Sequence, residues 1–255
     1  MTTTLLDRFR LDDRTIVVTG ASSGLGAGFA RALSGTGARL VLAARRADRL
    51  EDLGHELSAD GCEVHAVVAD VADPGACAHL ASEAVRRFGR IDGLVNNAGV
   101  GSAVSALKET PAGFRRVIDV NLNGVFWMAQ AAVPHMDQGG SIVNVSSVLG
   151  HVAPRFPQAA YAASKAGVIG LSRDLAAEWA RRGIRVNALC PGYFESEMTA
   201  AAEGDVLPAM VREQSMLRRF GFQHELDAAL LFLLSPASGY VTGTSLLVDG
   251  GLSAY

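Results

Sequence analysis

The chain has 255 residues, 49% hydrophobic and 19% charged, an ordinary globular composition with ample material for a core. Its formal net charge is −3 at pH 7 and its Arg pairs are scattered, so no nucleic-acid partner is expected. No apolar run suits a signal peptide or a membrane span, and Cys62, Cys77 and Cys190 are odd in number and lack ligand spacing, so the expectation is a cytoplasmic protein with free thiols, no metal and no membrane partner.

No Pro/Ser-rich tract, charge block or repeat divides the chain, so a single domain over 1–255 is expected. Thr15–Thr19 is a short β-branched run and reads as a buried strand. Gly20-Ala-Ser-Ser-Gly24-Leu-Gly26 follows and opens a helix that ends near Gly35. A strand, a glycine turn and a helix N-terminus together make an anion site, with free N–H groups and the positive dipole end facing a phosphate. The spacing differs from the common Gly-x-Gly-x-x-Gly dinucleotide fingerprint, and a plain βα turn is the alternative.

Arg39–Ala43 is the second strand and ends at Ala44, Arg45 and Arg46, before a helix over Ala47–Ala59. Strand three is Glu63–Val68, then Asp70; Asp73 and Pro74 start a helix that stops near Gly89. Ile91–Val95 is strand four, followed by Asn96, Asn97, Ala98 and Gly99. Thr110 and Pro111 start one helix expected to run past Asn121 to His135. Ser141–Val145 is strand five, ending at Ser146 and Ser147; a helix from Pro157 to Gly183 carries Tyr161. Arg185–Leu189 is strand six, before Cys190, Pro191 and Gly192. Tyr193–Phe220 has weaker periodicity, Glu225–Leu234 is the last helix and Thr244–Val248 is strand seven. Strands alternating with helices predict an α/β fold, a doubly wound Rossmann-like parallel sheet of seven strands with both faces covered. Ligands in such folds bind beyond the carboxyl ends of the strands, where Gly20, Arg45, Asp70, Asn96, Ser147 and Pro191 all fall.

Tyr161 and Lys165 stand four apart on one helix face. A phenol titrates near ~10, and an adjacent ammonium can lower that by ~1–3 units. A phenol so tuned can protonate a carbonyl oxygen as it becomes an alcohol, or deprotonate the alcohol in reverse. The plain alternative is an exposed helical Tyr/Lys pair. Of the 23 cationic residues only Lys108 and Lys165 are lysine, so a compact ammonium at 165 points to a need for one there.

Taken together, Thr19 to Gly26, Asn96 to Gly99, Asn121, Ser147, Tyr161 with Lys165, and Pro191-Gly192 resemble the short-chain dehydrogenase/reductase family, in order and spacing, from about Leu11 to Gly251. The resemblance implies that Tyr161 is the acid/base, that Lys165 lowers its pKa and bonds the nicotinamide ribose, and that Ser147, rather than Ser146, holds the substrate oxygen. It implies that Asn121 holds a water joining Lys165 to solvent; an amide bonded locally within its helix is the alternative. The turn with Gly20, Ser22, Ser23, Gly24, Leu25 and Gly26 would cradle a pyrophosphate. Asp70 and the Val71 backbone would bond adenine, Asn97, Ala98 and Gly99 would line the cofactor floor, and Pro191 and Gly192 would pass the nicotinamide. His151 and Arg155 lie between Ser147 and Tyr161, where an exposed loop His and Arg is the plainer reading.

The implied activity is hydride transfer between a nicotinamide cofactor and a small carbonyl or secondary-alcohol substrate. The alternatives are a 3-oxoacyl-carrier-protein reductase, for which Arg181 and Arg182 would be the basic surface, and a non-catalytic dinucleotide sensor. The cofactor expected is NADP(H), with NAD(H) second. Ala44 stands where an NAD-selecting Asp usually falls, and Arg45, with Ser22, would meet a 2′-phosphate. The last helix is apolar nearly all round, so a homo-oligomer, the tetramer common in the family, is expected. Residues 193–220, with Phe194, Met198, Leu207, Met210 and Met216 interrupted by Gly204 and Pro208, read as a substrate lid or as ordinary packing of a helical pair.

Overall fold

The computed structural model describes residues 4–101, 103–153, 156–195 and 206–254. Seven strands form one parallel sheet: β1 Thr15–Thr19, β2 Arg39–Ala44, β3 Val64–Val68, β4 Gly93–Asn96, β5 Gly140–Val145, β6 Ile184–Pro191 and β7 Ser245–Val248. Their order is β3-β2-β1-β4-β5-β6-β7, so the chain winds one way from β1, then crosses back to lay β4 on the other side. Val17 faces Val41 on one side and Leu94 on the other. A strand with neighbours on both edges and helices on both faces must be apolar throughout, and all five residues of β1 are buried.

Among the described residues the α-helices are α1 Gly24–Ser34, α2 Ala47–Ala59, α3 Pro74–Phe88, α4 Pro111–Ile118, α5 Gly124–Ala132, α6 Ala159–Trp179, α7 Val206–Gln214 and α8 Gln223–Leu234. One face of the sheet is covered by α1, α2 and α8, through Phe29, Leu33, Leu50, Leu57, Leu226 and Leu230. The other is covered by α3, α5 and α6, through Leu80, Ala84, Met128, Ala132, Leu175 and Trp179. Helix starts follow the sequence signals. The Asp73 carboxylate accepts from Gly75 N–H at 2.8 Å and Thr110 Oγ1 from Gly113 N–H at 3.0 Å, each just before a first-turn proline.

The expected single helix from Thr110 to His135 is corrected. It divides into α4, a π-helical turn Asp119–Asn123, α5 and a 3-10 turn Val133–His135. The wider turn swings Asn121 inward, where it is fully buried. At its exit Gly124 lies against the β3–α3 loop, since a Cβ there would stand 2.8 Å from Val71 Cγ2. In the segment expected as a lid, Leu207, Met210 and Val211 of α7 pack with Phe156, Tyr193 and Phe220. Met198 and Gly204 lie outside the described residues.

Candidate active site

The reversal of strand order between β1 and β4 opens a crevice at the carboxyl ends of the strands. A cleft of about 790 Å³ occupies it, lined from Gly20 at one end to Leu207 at the other. Of the residues expected at the site, all but Gly26 and Asn121 line it.

The glycine turn is built for backbone closeness. A Cβ on Gly20, whose φ is +67°, would lie 2.7 Å from Ala98 Cα, and one on Gly26 would lie 2.2 Å from Gly20 O. Gly26 is therefore a packing requirement beneath the turn rather than a surface of the cleft. Asn97 plays a similar supporting part: its Nδ2 donates to Thr19 O at 3.1 Å and Gly20 O at 3.3 Å. Thr19 Oγ1 in turn accepts from the N–H groups of Asn97 and Ala98 at 3.1 and 3.2 Å. Side chains from β1 and the loop after β4 thus hold the turn against the floor.

Ser23 is the N-cap of α1, yet its side chain caps nothing. Its hydroxyl accepts instead from the Arg46 guanidinium, whose Nε also donates to Ser22 Oγ at 3.2 Å. The α1 N-terminus is left without a side-chain acceptor of its own, beside a guanidinium, which suits an anionic ligand. Arg45, the residue singled out from the sequence, lies with Nη1 3.8 Å from Asp70 Oδ2, while Asp70 Oδ1 accepts from Ala72 N–H at 3.1 Å. Both arginines line the cleft. Arg46 is the contact that sequence reasoning passed over; two adjacent arginines carry no signal for which one turns back over the glycine turn.

At the other end, α6 brings up Tyr161 and Lys165. The two serines after β5 divide clearly. Ser146 Oγ donates to Lys165 O at 2.7 Å and is buried, which ties the strand end to α6. Ser147 faces the cleft beside the Tyr161 phenol, whose pKa it draws down, and its Oγ accepts from Leu149 N–H at 3.1 Å. Lys165 is buried, with Nζ donating to Val145 O at 2.8 Å and lying 5.6 Å from the Tyr161 ring centre.

The electrostatics correct one expectation. Burial pushes the Tyr161 phenol above its ordinary value, with the Ser147 hydrogen bond pulling the other way and Tyr193 adding to the rise. Lys165 is not among the causes of that shift, and burial lowers its own pKa to about 8.

The Asn121 side chain makes three hydrogen bonds. Its Oδ1 accepts from Val100 N–H at 2.8 Å; its Nδ2 donates to Val100 O at 2.9 Å and to Ser164 Oγ at 3.2 Å. It is neither bonded locally within its helix nor exposed to the cleft; it clamps the loop after β4 to α6. A Cβ on Gly99 would lie 3.4 Å from Asn121 Oδ1 and 3.7 Å from Lys165 Nζ, so both groups converge behind that glycine.

Pro191 and Gly192 close the far wall, Gly192 N–H donating to Val248 O at 2.9 Å. Cys190 lies beneath, its thiol pushed up to about 11 by burial, and its Sγ is 3.7 Å from His151 Nε2. His151 is exposed and does not line the cleft, and Arg155 lies outside the described residues.

Residues 20–253 match a family model described as enoyl-(acyl carrier protein) reductase. The chain is 44% identical to galactitol 2-dehydrogenase (L-tagatose-forming) of Cereibacter sphaeroides, over 97% of this chain and 98% of the relative. It is 39% identical to a 3-oxoacyl-[acyl-carrier-protein] reductase of Thermotoga maritima, over 95% of this chain and 99% of the relative. Among solved structures, a gluconate 5-dehydrogenase from Burkholderia cenocepacia in complex with NADP and tartrate superposes with a TM-score of 0.94 at 37% identity, over 99% of this chain and 100% of that one. With the sheet order, the glycine turn and the Ser147–Tyr161–Lys165 cluster all in one crevice, and with relatives that match from end to end, the chain belongs to the short-chain dehydrogenase/reductase family of oxidoreductases.

Proposed function

We propose that this oxidoreductase is an NADP(H)-preferring reductase or dehydrogenase that interconverts a small carbonyl compound and its secondary alcohol. The observation that carries the reading is the meeting of Ser147, the Tyr161 phenol and Lys165 in the same cleft as the glycine turn. The nicotinamide, when bound, supplies or accepts the hydride. The chain's own residues handle the proton. Tyr161 gives its proton to the carbonyl oxygen in reduction and takes one from the hydroxyl in oxidation. Ser147 donates to the same oxygen, where negative charge develops. Lys165 places a positive charge beneath the phenol, opposing the burial that holds its proton on. Asn121 keeps the loop before the cleft and the first turns of α6 in register.

The residues fit a dinucleotide. The α1 N-terminus and the Gly20–Gly26 turn suit the pyrophosphate, Asp70 and Val71 the adenine, and Asn97 to Gly99 the floor. Lys165 suits the nicotinamide ribose, and Pro191 and Gly192 the nicotinamide itself. The NADP preference rests on the absence of an acid after β2, where Ala44 stands, and on two arginines there. Arg46, bonded to Ser22 and Ser23, is the better oriented of the two toward a 2′-phosphate.

The carrier-protein reading has Arg181 and Arg182 as its basic surface, and both are exposed. A non-catalytic sensor would have no use for the Ser147–Tyr161 pair. The test is turnover. Tyr161→Phe should lose more than ~99% of kcat with a ketone panel while NADPH still binds; retention of a tenth of wild-type kcat would refute the proton-transfer role. Titration should show wild type binding NADPH more tightly than NADH. Arg46→Ala should weaken NADPH by ~10–100-fold and Arg45→Ala by less. Tighter NADH binding by wild type would reverse the cofactor assignment.

A further inference from the structure

Beyond Tyr161 the cleft continues into a second half, walled by apolar groups that include Val148, Leu149, Phe156 and Leu207. Two polar heads enter this half, and the reaction above uses neither.

The first is Gln158. It stands at the N-cap of α6, where a side-chain oxygen ordinarily holds a first-turn N–H. It makes no such bond. Its backbone is fixed by pairing with Val104 and by accepting from Ala162 N–H at 2.9 Å. Three residues before Tyr161, its side chain rises on the same helix face as the phenol and lines the same cleft.

The second is Tyr193. Its carbonyl accepts from Gly221 N–H at 2.9 Å, and the next residue, Phe194, pairs with Gly221 so closely that a Cβ there would lie 2.4 Å from the Phe194 ring. Its own ring packs against Leu207, Met210 and Val211. The backbone and ring of Tyr193 are therefore held, while its phenol lies near enough to Tyr161 for the two to resist ionising together. Burial pushes that phenol above its ordinary value. Neither the Tyr193 hydroxyl nor the Gln158 amide has a hydrogen-bond partner among the described residues. Neither head is cut off from water in the open cleft, and an oxygen on a ligand would take the place of that water at both. A hydroxyl is the group that fits, because it accepts from the phenol and donates to the amide oxygen at once.

We propose that Tyr193 and Gln158 form a second polar subsite that takes a hydroxyl on the carbon next to the reacting one. The substrate is then a vicinal diol in oxidation and an α-hydroxyketone in reduction. This rests on the oxidoreductase reading above and names its substrate class. A site made to bond a hydroxyl discriminates strongly against the analogue that lacks it.

The experiment compares 1-hydroxy-2-hexanone with 2-hexanone, a pair of equal chain length, in NADPH-dependent reduction by wild type, Tyr193→Phe and Gln158→Leu. Wild type should favour the hydroxyketone in kcat/KM by ~10-fold or more. In each variant that ratio should fall toward one, chiefly through a higher KM for the hydroxyketone. Equal use of the pair by wild type would overturn the subsite, as would variants that lose both substrates in equal proportion. Turnover of neither ketone by wild type that still binds NADPH would overturn the oxidoreductase reading itself, and the subsite with it.

Discussion

Lys165 carries a conflict between stability and catalysis that can be measured. Its pKa in the folded chain is lowered to about 8 by burial, from an ordinary value of 10.5. Between these two values the unfolded chain binds the extra proton, so stability rises with pH across that window and the full penalty is present below about 8. Lys165→Met should therefore raise the unfolding free energy measured in urea at pH 7, by at most ~3 kcal/mol, and the gain should shrink toward pH 10. The same variant should be inactive. In wild type, kcat/KM for reduction should fall as pH rises through about 8, because loss of the ammonium leaves the phenol a weaker acid. A flat profile between pH 6 and 9 would remove Lys165 from the proton chemistry. At this scale the sequence was informative wherever chemistry requires one residue type. That Tyr161, Lys165 and Ser147 would meet in one crevice was legible, because a phenol, an ammonium and a hydroxyl each suit a distinct task in the chemistry proposed. The sense of the Tyr161 shift was not, because spacing places charges but says nothing of how much water each has lost. Arg46 was not legible either, since its role depends on a rotamer.

The π-helical turn at Asp119–Asn123 is the element on which the middle of the site depends. It lets one buried amide satisfy both backbone groups of Val100 and reach Ser164 on α6. Asn121→Ala would leave the Val100 N–H and C=O without those partners, at a cost of ~1–3 kcal/mol in urea unfolding. Turnover should fall with it by ~10-fold or more, since the loop carrying Gly99 and the helix carrying Lys165 lose their clamp. An Asn121→Ala enzyme with wild-type kcat would reduce the turn to a packing detail. Strand and helix positions were readable almost throughout: β1 and α2 fall on the residues expected, and the Asp73-Pro74, Thr110-Pro111 and Gly89 signals mark real ends. The π turn left no trace in the pattern, because one extra residue in a turn leaves the hydrophobic spacing of α4 and α5 intact on either side. The helix α7 was obscured for the opposite reason: its apolar residues meet a small separate cluster rather than the sheet.

At the scale of the whole molecule, the β7 edge carries apolar surface. All four residues of β7 are only half-buried, Leu231 and Phe232 of α8 are partly exposed, and Tyr240 is fully so. An edge strand and a helix both apolar on their outer sides are covered most simply by a second copy of the same surface. Light scattering at micromolar concentration should therefore give a multiple of the 26.6 kDa chain, and Phe232→Glu should lower it; a monomer in wild type would refute the oligomer. The order in which the core closes has a further consequence during synthesis. The residues proposed to cradle the dinucleotide lie early, yet α1 is packed from outside by α8: Leu226 and Leu230 share its core, and a Cβ on Gly28 would lie 2.2 Å from the Gln223 side chain. β1 likewise waits for β4 before its second edge is paired. The nucleotide half of a nascent chain thus leaves the ribosome with an open strand edge and an uncovered helix, both prone to aggregation until the last helix arrives. A chain ending at Phe220 keeps every candidate catalytic residue, and it should nonetheless bind no NADPH and accumulate as insoluble protein.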